Sequence, residues 1–115
     1  MKKVCLVEDD PNMSSLLQTF LKLEGFEIVM ANFPDIEKII KRIKEEKPDY
    51  IFLDVNLRNI NGFDILKTIR NDPKLNQTKV IMTSGMDLEN RCLKAGANHF
   101  LMKPFMPEEL LKRLK

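Results

Sequence analysis

Two kinds of apolar spacing alternate along the chain. Val4-Cys5-Leu6-Val7 is a short continuous apolar run, whereas Met13, Leu16, Leu17, Phe20 and Leu21 recur at the three-and-four spacing of one helical face. The first pattern predicts a strand and the second a helix. Asp10-Pro11 offers that helix an N-cap and a first-turn proline, and Gly25 offers the left-handed residue that closes it. Ile28-Val29-Met30-Ala31 predicts a second strand. After Pro34, Ile36, Ile39, Ile40 and Ile43 mark a second helix, whose other faces mix Lys38, Lys41, Arg42, Lys44 and Lys47 with Glu37, Glu45 and Glu46. Such a mixture reads as a solvated helix surface. Tyr50-Ile51-Phe52-Leu53, with no polar alternation, predicts a third strand buried on both faces, as in the centre of a parallel sheet.

The same alternation runs on to the C-terminus. Phe63, Ile65, Leu66 and Ile69 predict a helix after Gly62, followed by an Asn71-Asp72-Pro73 turn and the strand Val80-Ile81-Met82-Thr83. A short helix around Leu88 to Leu93 ends at Ala95-Gly96. His99-Phe100-Leu101-Met102 forms the fifth strand, and Pro107 opens a last helix with Leu110, Leu111 and Leu114, expected to run to Lys115. Repeated strand–helix units with short connections call for a parallel α/β sheet with right-handed crossovers and helices on both faces. In such sheets functional groups gather beyond the carboxyl ends of the strands.

Composition narrows the class. At 115 residues, without an internal repeat or linker, the chain is expected to be one domain, and 43% apolar with 31% charged residues excludes disorder. The 19 basic and 17 acidic residues leave a formal charge of only +2, so neither direct nucleic-acid contact nor membrane binding is expected. Lys2-Lys3 and the apolar stretch broken by Glu8-Asp9-Asp10 read as neither signal peptide nor anchor, which points to a cytoplasmic protein. Cys5 and Cys92 lie in apolar segments and read as reduced, buried thiols. Met82, Met102 and Met106 read as core filling or an adaptable docking surface.

The residues after the strands carry the chemistry. Strand one ends in Glu8-Asp9-Asp10, strand three in Asp54, strand four in Thr83-Ser84, and Lys103-Pro104 follows strand five. In a parallel sheet these groups converge on one edge. Clustered carboxylates repel one another unless a cation neutralises them, and hard oxygen donors among common cellular ions select Mg²⁺. Mg²⁺ held by one or two protein carboxylates plus phosphate oxygens suits phosphoryl chemistry, with Asp54 the natural nucleophile, Lys103 balancing developing negative charge and Ser84 donating to a phosphoryl oxygen.

Taken together, Glu8-Asp9, Asp54, Ser84, Phe100 and Lys103-Pro104 make the chain resemble, over essentially its whole length, a response-regulator receiver domain of two-component signalling, similar to the chemotaxis receivers. The resemblance implies a flavodoxin-like doubly wound sheet, (βα)5, with strand order 2-1-3-4-5 and a single receiver domain over residues 1–115. It implies that Asp9 and Asp54 ligate Mg²⁺, that Glu8 helps through water, and that Asn56 contributes its backbone carbonyl while its side chain tunes the phosphoryl lifetime. Asp54 is then the phosphoacceptor, Ser84 and Phe100 the switch pair, and Lys103-Pro104 a cis peptide bond. Within the acid run the family's spacing selects Glu8 and Asp9 and leaves Asp10 as a cap. Ser84, 30 positions after Asp54 and followed by Gly85, is selected over Thr83.

Implied partners are a sensor histidine kinase or phosphotransfer protein and an output domain or partner protein, with a homodimer as a further state. The chain would be a signalling domain rather than a conventional enzyme, catalysing its own phosphotransfer and dephosphorylation. Two departures stand out: Arg58 occupies a position where most receivers carry Pro, and only 19 positions separate Ser84 from Lys103, fewer than the family usually has. They leave open a degenerate receiver acting as a phosphorylation-independent interaction module. An aspartyl-phosphate phosphatase would need a general acid two residues after Asp54, where Asn56 stands.

Overall fold

Each strand expected from an apolar run is present in the computed structural model, which describes residues 2–114. Met1 and Lys115, the ends of the expected domain and of the expected last helix, lie outside the described residues. The strands are β1 (Lys3–Val7), β2 (Glu27–Met30), β3 (Tyr50–Asp54), β4 (Asn56–Leu57), β5 (Ile60–Asn61), β6 (Lys79–Ser84) and β7 (His99–Met102). The helices are α1 (Pro11–Leu23), α2 (Ile36–Glu46), α3 (Gly62–Asn71), α4 (Glu89–Lys94) and α5 (Pro107–Arg113). Five strands form one parallel sheet in the order β2-β1-β3-β6-β7. With the two-residue strands β4 and β5 set aside, this is the expected 2-1-3-4-5 order of a doubly wound sheet.

Alternation along the strands builds a core on each side. Val4 and Leu6 of β1 and Tyr50 and Phe52 of β3 pack with Leu17 and Leu21 of α1 and Leu110 of α5. Cys5, Val7, Ile51 and Leu53 point to the other face, where Ile39 and Ile43 of α2, Ile65, Leu66 and Ile69 of α3 and Cys92 of α4 cover them. Every residue of β3 is buried, which is why its apolar run carries no polar interruption. Both thiols are buried and free.

Helix ends form where the expected punctuation stands. Asp10 caps α1, its carboxylate accepting from the amides of Asn12 and Met13, and Gly25 and Gly96 adopt φ of 94° and 111° after their helices. The charged faces of α2 are laced by ion pairs, Arg42 to Glu46 at 3.1 Å and Lys44 to Asp72 at 2.8 Å, the solvated surface that the mixed pattern predicts.

Two features lie outside the sequence reading. The segment after β3 closes into an antiparallel hairpin, Asn56 opposite Asn61 and Leu57 opposite Ile60, with Asn59 left-handed at φ 65°. The alternation Asn-Leu and Ile-Asn about an Asn-containing tip is its signal. At the amino ends of the strands Arg70 of α3 acts as a staple, donating to the carbonyls of Gly96 (2.8 Å) and Thr78 (2.7 Å) and to Asn98 Oδ1 (2.9 Å). It braces the loops entering β6 and β7, on the edge opposite the acidic residues.

Candidate functional site

The carboxyl edge of the sheet brings Glu8, Asp9, Asp54, Ser84 and Lys103 together from four separate connections. Glu8 and Asp9 follow β1, and Asp54 ends the adjacent strand β3 with its Cα opposite Thr83 of β6. Main-chain bonds lock the loops: the Val55 amide donates to the Thr83 carbonyl at 2.9 Å and the Lys103 amide to the Ser84 carbonyl at 2.8 Å. The Lys103–Pro104 peptide is cis.

Lys103 is the cationic centre. Its Nζ donates to Asp54 Oδ2 at 2.7 Å and lies 3.1 Å from Glu8 Oε2. The Glu8 contact is off the line of a hydrogen bond, so the buried Oε2 is left without a hydrogen-bond partner. Burial pulls the ammonium down, but the hydrogen bond to Asp54 and the charges of Glu8 and Asp54 outweigh it and the net direction is up. Glu8 is fully buried. Burial pushes its carboxyl above the usual carboxylate range and the Asp54 charge adds to this, against the hydrogen bond from the Asp10 amide and the pull of Lys103.

The other two carboxylates are held by backbone. Asp54 Oδ1 accepts from the Asn56 amide at 2.9 Å, and Asp9 Oδ2 accepts from the Arg58 amide at 2.6 Å. Glu8, Asp9 and Asp54 each offer an oxygen within 4.8 Å of the others. Three carboxylates against one ammonium, with one buried oxygen ion-paired but lacking a hydrogen bond, fit a hard divalent cation. These are the residues that can hold one.

The two neighbouring hydroxyls sit in different surroundings. Thr83 Oγ1 donates to the Leu101 carbonyl at 2.7 Å inside the sheet, whereas buried Ser84 accepts the Met86 amide at 3.1 Å through Oγ and keeps its own proton available. Phe100 is buried, at 7% exposure, in the core under α2, α3 and α4. Asn56 is exposed at the base of the hairpin, and His99 is exposed at the start of β7. Sequence reasoning missed Asn32, whose Oδ1 accepts the Glu8 amide at 3.2 Å; a polar residue directly after the second strand was its signal. It also read Arg58 only as a departure, not as a backbone donor.

Elsewhere, a depression of about 600 Å³ between α2 and α3 is lined by Ile36, Ile40, Lys44 and Thr68 among others. Its charged lining, Glu37, Lys41, Lys44 and Glu45, belongs to the mixed solvated surface of α2. Among the described residues no helix is long and apolar enough to cross a membrane.

Comparison with known proteins points the same way. A family model described as response regulator receiver domain matches residues 4–115. The transcriptional regulatory protein CpxR of Escherichia coli (strain K12) is 36% identical, the match covering 100% of this chain and 48% of CpxR. The chain spans about half the length of the curated relatives it matches. Among solved structures, a putative response regulator from Chloroflexus aurantiacus is 29% identical with a TM-score of 0.88, covering 99% of this chain and 94% of that one. The chemotaxis response regulator CheY4 of Vibrio cholerae is 28% identical with a TM-score of 0.88, covering 99% and 96%.

Proposed function

The chain belongs to the response regulator receiver domain family, and from that premise we propose that it accepts a phosphoryl group on Asp54 from a sensor histidine kinase, a phosphotransfer protein or a small phosphodonor. One observation carries the reading: a buried carboxylate at the end of the central strand is hydrogen-bonded to the same ammonium that neutralises a second buried acid.

A carboxylate oxygen of Asp54 attacks phosphorus in line, the bond from phosphorus to the donor nitrogen or oxygen breaks, and the leaving group departs with that electron pair. The rest of the chain positions and neutralises. Lys103, hydrogen-bonded to Asp54 Oδ2 at rest, passes to a phosphoryl oxygen as the carboxylate becomes an uncharged acyl group, and it keeps Glu8 as its second partner. Ser84, whose oxygen accepts the Met86 amide, donates its proton to another phosphoryl oxygen. Asp9, Asp54 and the Asn56 carbonyl would hold Mg²⁺, with Glu8 assisting through water, and the bound ion would neutralise charge on the phosphoryl oxygens. The exposed Asn56 side chain beside the site tunes the phosphoryl lifetime.

Phosphorylation then acts as a population shift. Closure of Ser84 and Lys103 on the phosphoryl group favours the state with Phe100 turned inward, the position that this ring occupies here. The surface of α4, β7 and α5 carries the signal to an output domain or partner protein, or to a second copy. We read residues 1–115 as one receiver working in the cytoplasm, without nucleic-acid or membrane contacts of its own.

The test is mass measurement after incubation with acetyl phosphate and Mg²⁺. The parent gains one phosphoryl group and Asp54→Asn gains none. Equal labelling of both removes Asp54 from the mechanism; labelling of neither favours a phosphorylation-independent interaction module.

A further inference from the structure

Of the three clustered carboxylates, Asp9 alone is not held by a neighbouring residue or by Lys103. Glu8 is fixed by the Asp10 amide and the ammonium, and Asp54 by the Asn56 amide and the ammonium. Among the described residues the one hydrogen bond recorded to the Asp9 carboxylate comes from the backbone of Arg58, 49 positions away, at 2.6 Å. That amide sits at the tip of the β4–β5 hairpin, in the two-residue connection Arg58-Asn59. The base of the hairpin is pinned as well: the Gly62 amide donates to the Val55 carbonyl at 2.7 Å, and Gly62 lies against the Asp54 backbone. A short rigid element thus spans from the strand end of one acid to the side chain of another.

We propose that the Arg58 backbone amide is a positioning group for the divalent cation. It holds Asp9 Oδ2 so that the remaining oxygen stays turned into the cluster. The inference rests on the reading of Asp9 as a metal ligand. Without the amide the Asp9 side chain is free to rotate away from Glu8 and Asp54, and the ion would have to order it. Hydrogen-bonded outer partners of ligating carboxylates typically contribute roughly 10–100-fold in metal affinity. The contribution comes from the N–H and not from the guanidinium, since every residue except proline can supply it.

The decisive comparison is Arg58→Pro against Arg58→Ala. Arg58 is the first tip residue and has no positive φ, a position that accepts proline in common turns, so the hairpin is expected to persist. Calorimetric titration of the unphosphorylated protein with Mg²⁺ is expected to give parental affinity for Arg58→Ala and about tenfold weaker binding for Arg58→Pro. Parental affinity in Arg58→Pro, or equal weakening in both variants, overturns the inference. Indistinguishable titrations of the parent and Asp9→Asn instead remove the ligand role of Asp9, and the inference with it.

Amide NMR on the parent gives a check independent of the proline variant. The Arg58 amide proton is expected downfield and protected from exchange, and to stay so when Mg²⁺ is added. Loss of that protection on Mg²⁺ binding would mean that the bond competes with the ion rather than orienting its ligand.

Discussion

At the scale of single residues the site is a problem of charge balance. Lys103 is one ammonium shared between two buried carboxylates, with Asp9 close by. Removing one partner of a buried ion pair commonly costs about 3–5 kcal/mol because the other charge is stranded. The Lys103 side chain is a quarter exposed, so solvent screening reduces that figure, and Lys103→Met is expected to destabilise the metal-free protein by roughly 2–4 kcal/mol. The deficit should depend on pH in a fixed direction. The folded Glu8 carboxyl lies above its unfolded value, so folding favours its neutral form. Its contribution is complete below the ordinary carboxylate range and is lost as pH rises through the raised value. Lys103→Met withdraws the charge that opposes this shift, so its deficit should narrow as pH is lowered from neutral towards that value, and Mg²⁺ at neutral pH should recover part of it. Urea unfolding in EDTA at several pH values measures the first effect, and the same unfolding at neutral pH with Mg²⁺ in place of EDTA measures the second; a variant as stable as the parent in EDTA at neutral pH would mean that Lys103 carries no structural charge.

Elements hold these residues at the right separations, and the junction of the β4–β5 hairpin with α3 at Gly62 lies directly against Asp54. A Cβ on Gly62 would collide with the Asp54 carbonyl oxygen and come within 2.8 Å of Val55 Cα. These are backbone atoms at the proposed phosphoacceptor, so the strain cannot relax through a flexible side chain. Gly62→Ala is expected to cost about 1–3 kcal/mol, as overpacking does, and to slow labelling of Asp54 by acetyl phosphate through displacement of its carboxylate. Thermal unfolding together with labelling rate checks this; unchanged values for both would show that the hairpin yields without disturbing Asp54. The element scale is also where the sequence was most and least legible. Continuous apolar runs announced the five principal strands, most clearly the central β1, β3 and β6, whose residues are nearly all buried, and the acids, Ser84 and Lys103 stood out because polar groups directly after such runs must converge when the strands are parallel. The hairpin stayed hidden because two-residue strands bury too little to leave a periodic signal. The Arg58–Asp9 bond stayed hidden because a backbone amide carries no mark in the sequence beyond the absence of proline. Arg70 likewise reads as an ordinary helix charge until β6 and β7 enter beside it.

For the whole molecule, the acidic cluster exists only when β1 and β3 are paired, since Glu8 and Asp9 are far in sequence from Asp54. An ion that needs all three carboxylates therefore binds the folded chain and not the unfolded one, and its binding energy becomes folding energy. At a free concentration a hundred times the dissociation constant the stabilisation is about 2.7 kcal/mol. For a chain of 115 residues that corresponds to a rise in unfolding midpoint of roughly 10 °C. Removing a ligand should flatten the response, so Asp9→Asn and Asp54→Asn are each expected to show a much smaller shift at the same Mg²⁺ concentration. Scanning calorimetry with and without Mg²⁺ distinguishes this from a general salt effect, which would raise all three proteins equally. An equal rise would mean that the carboxylates meet at the sheet edge without acting together as a cation site.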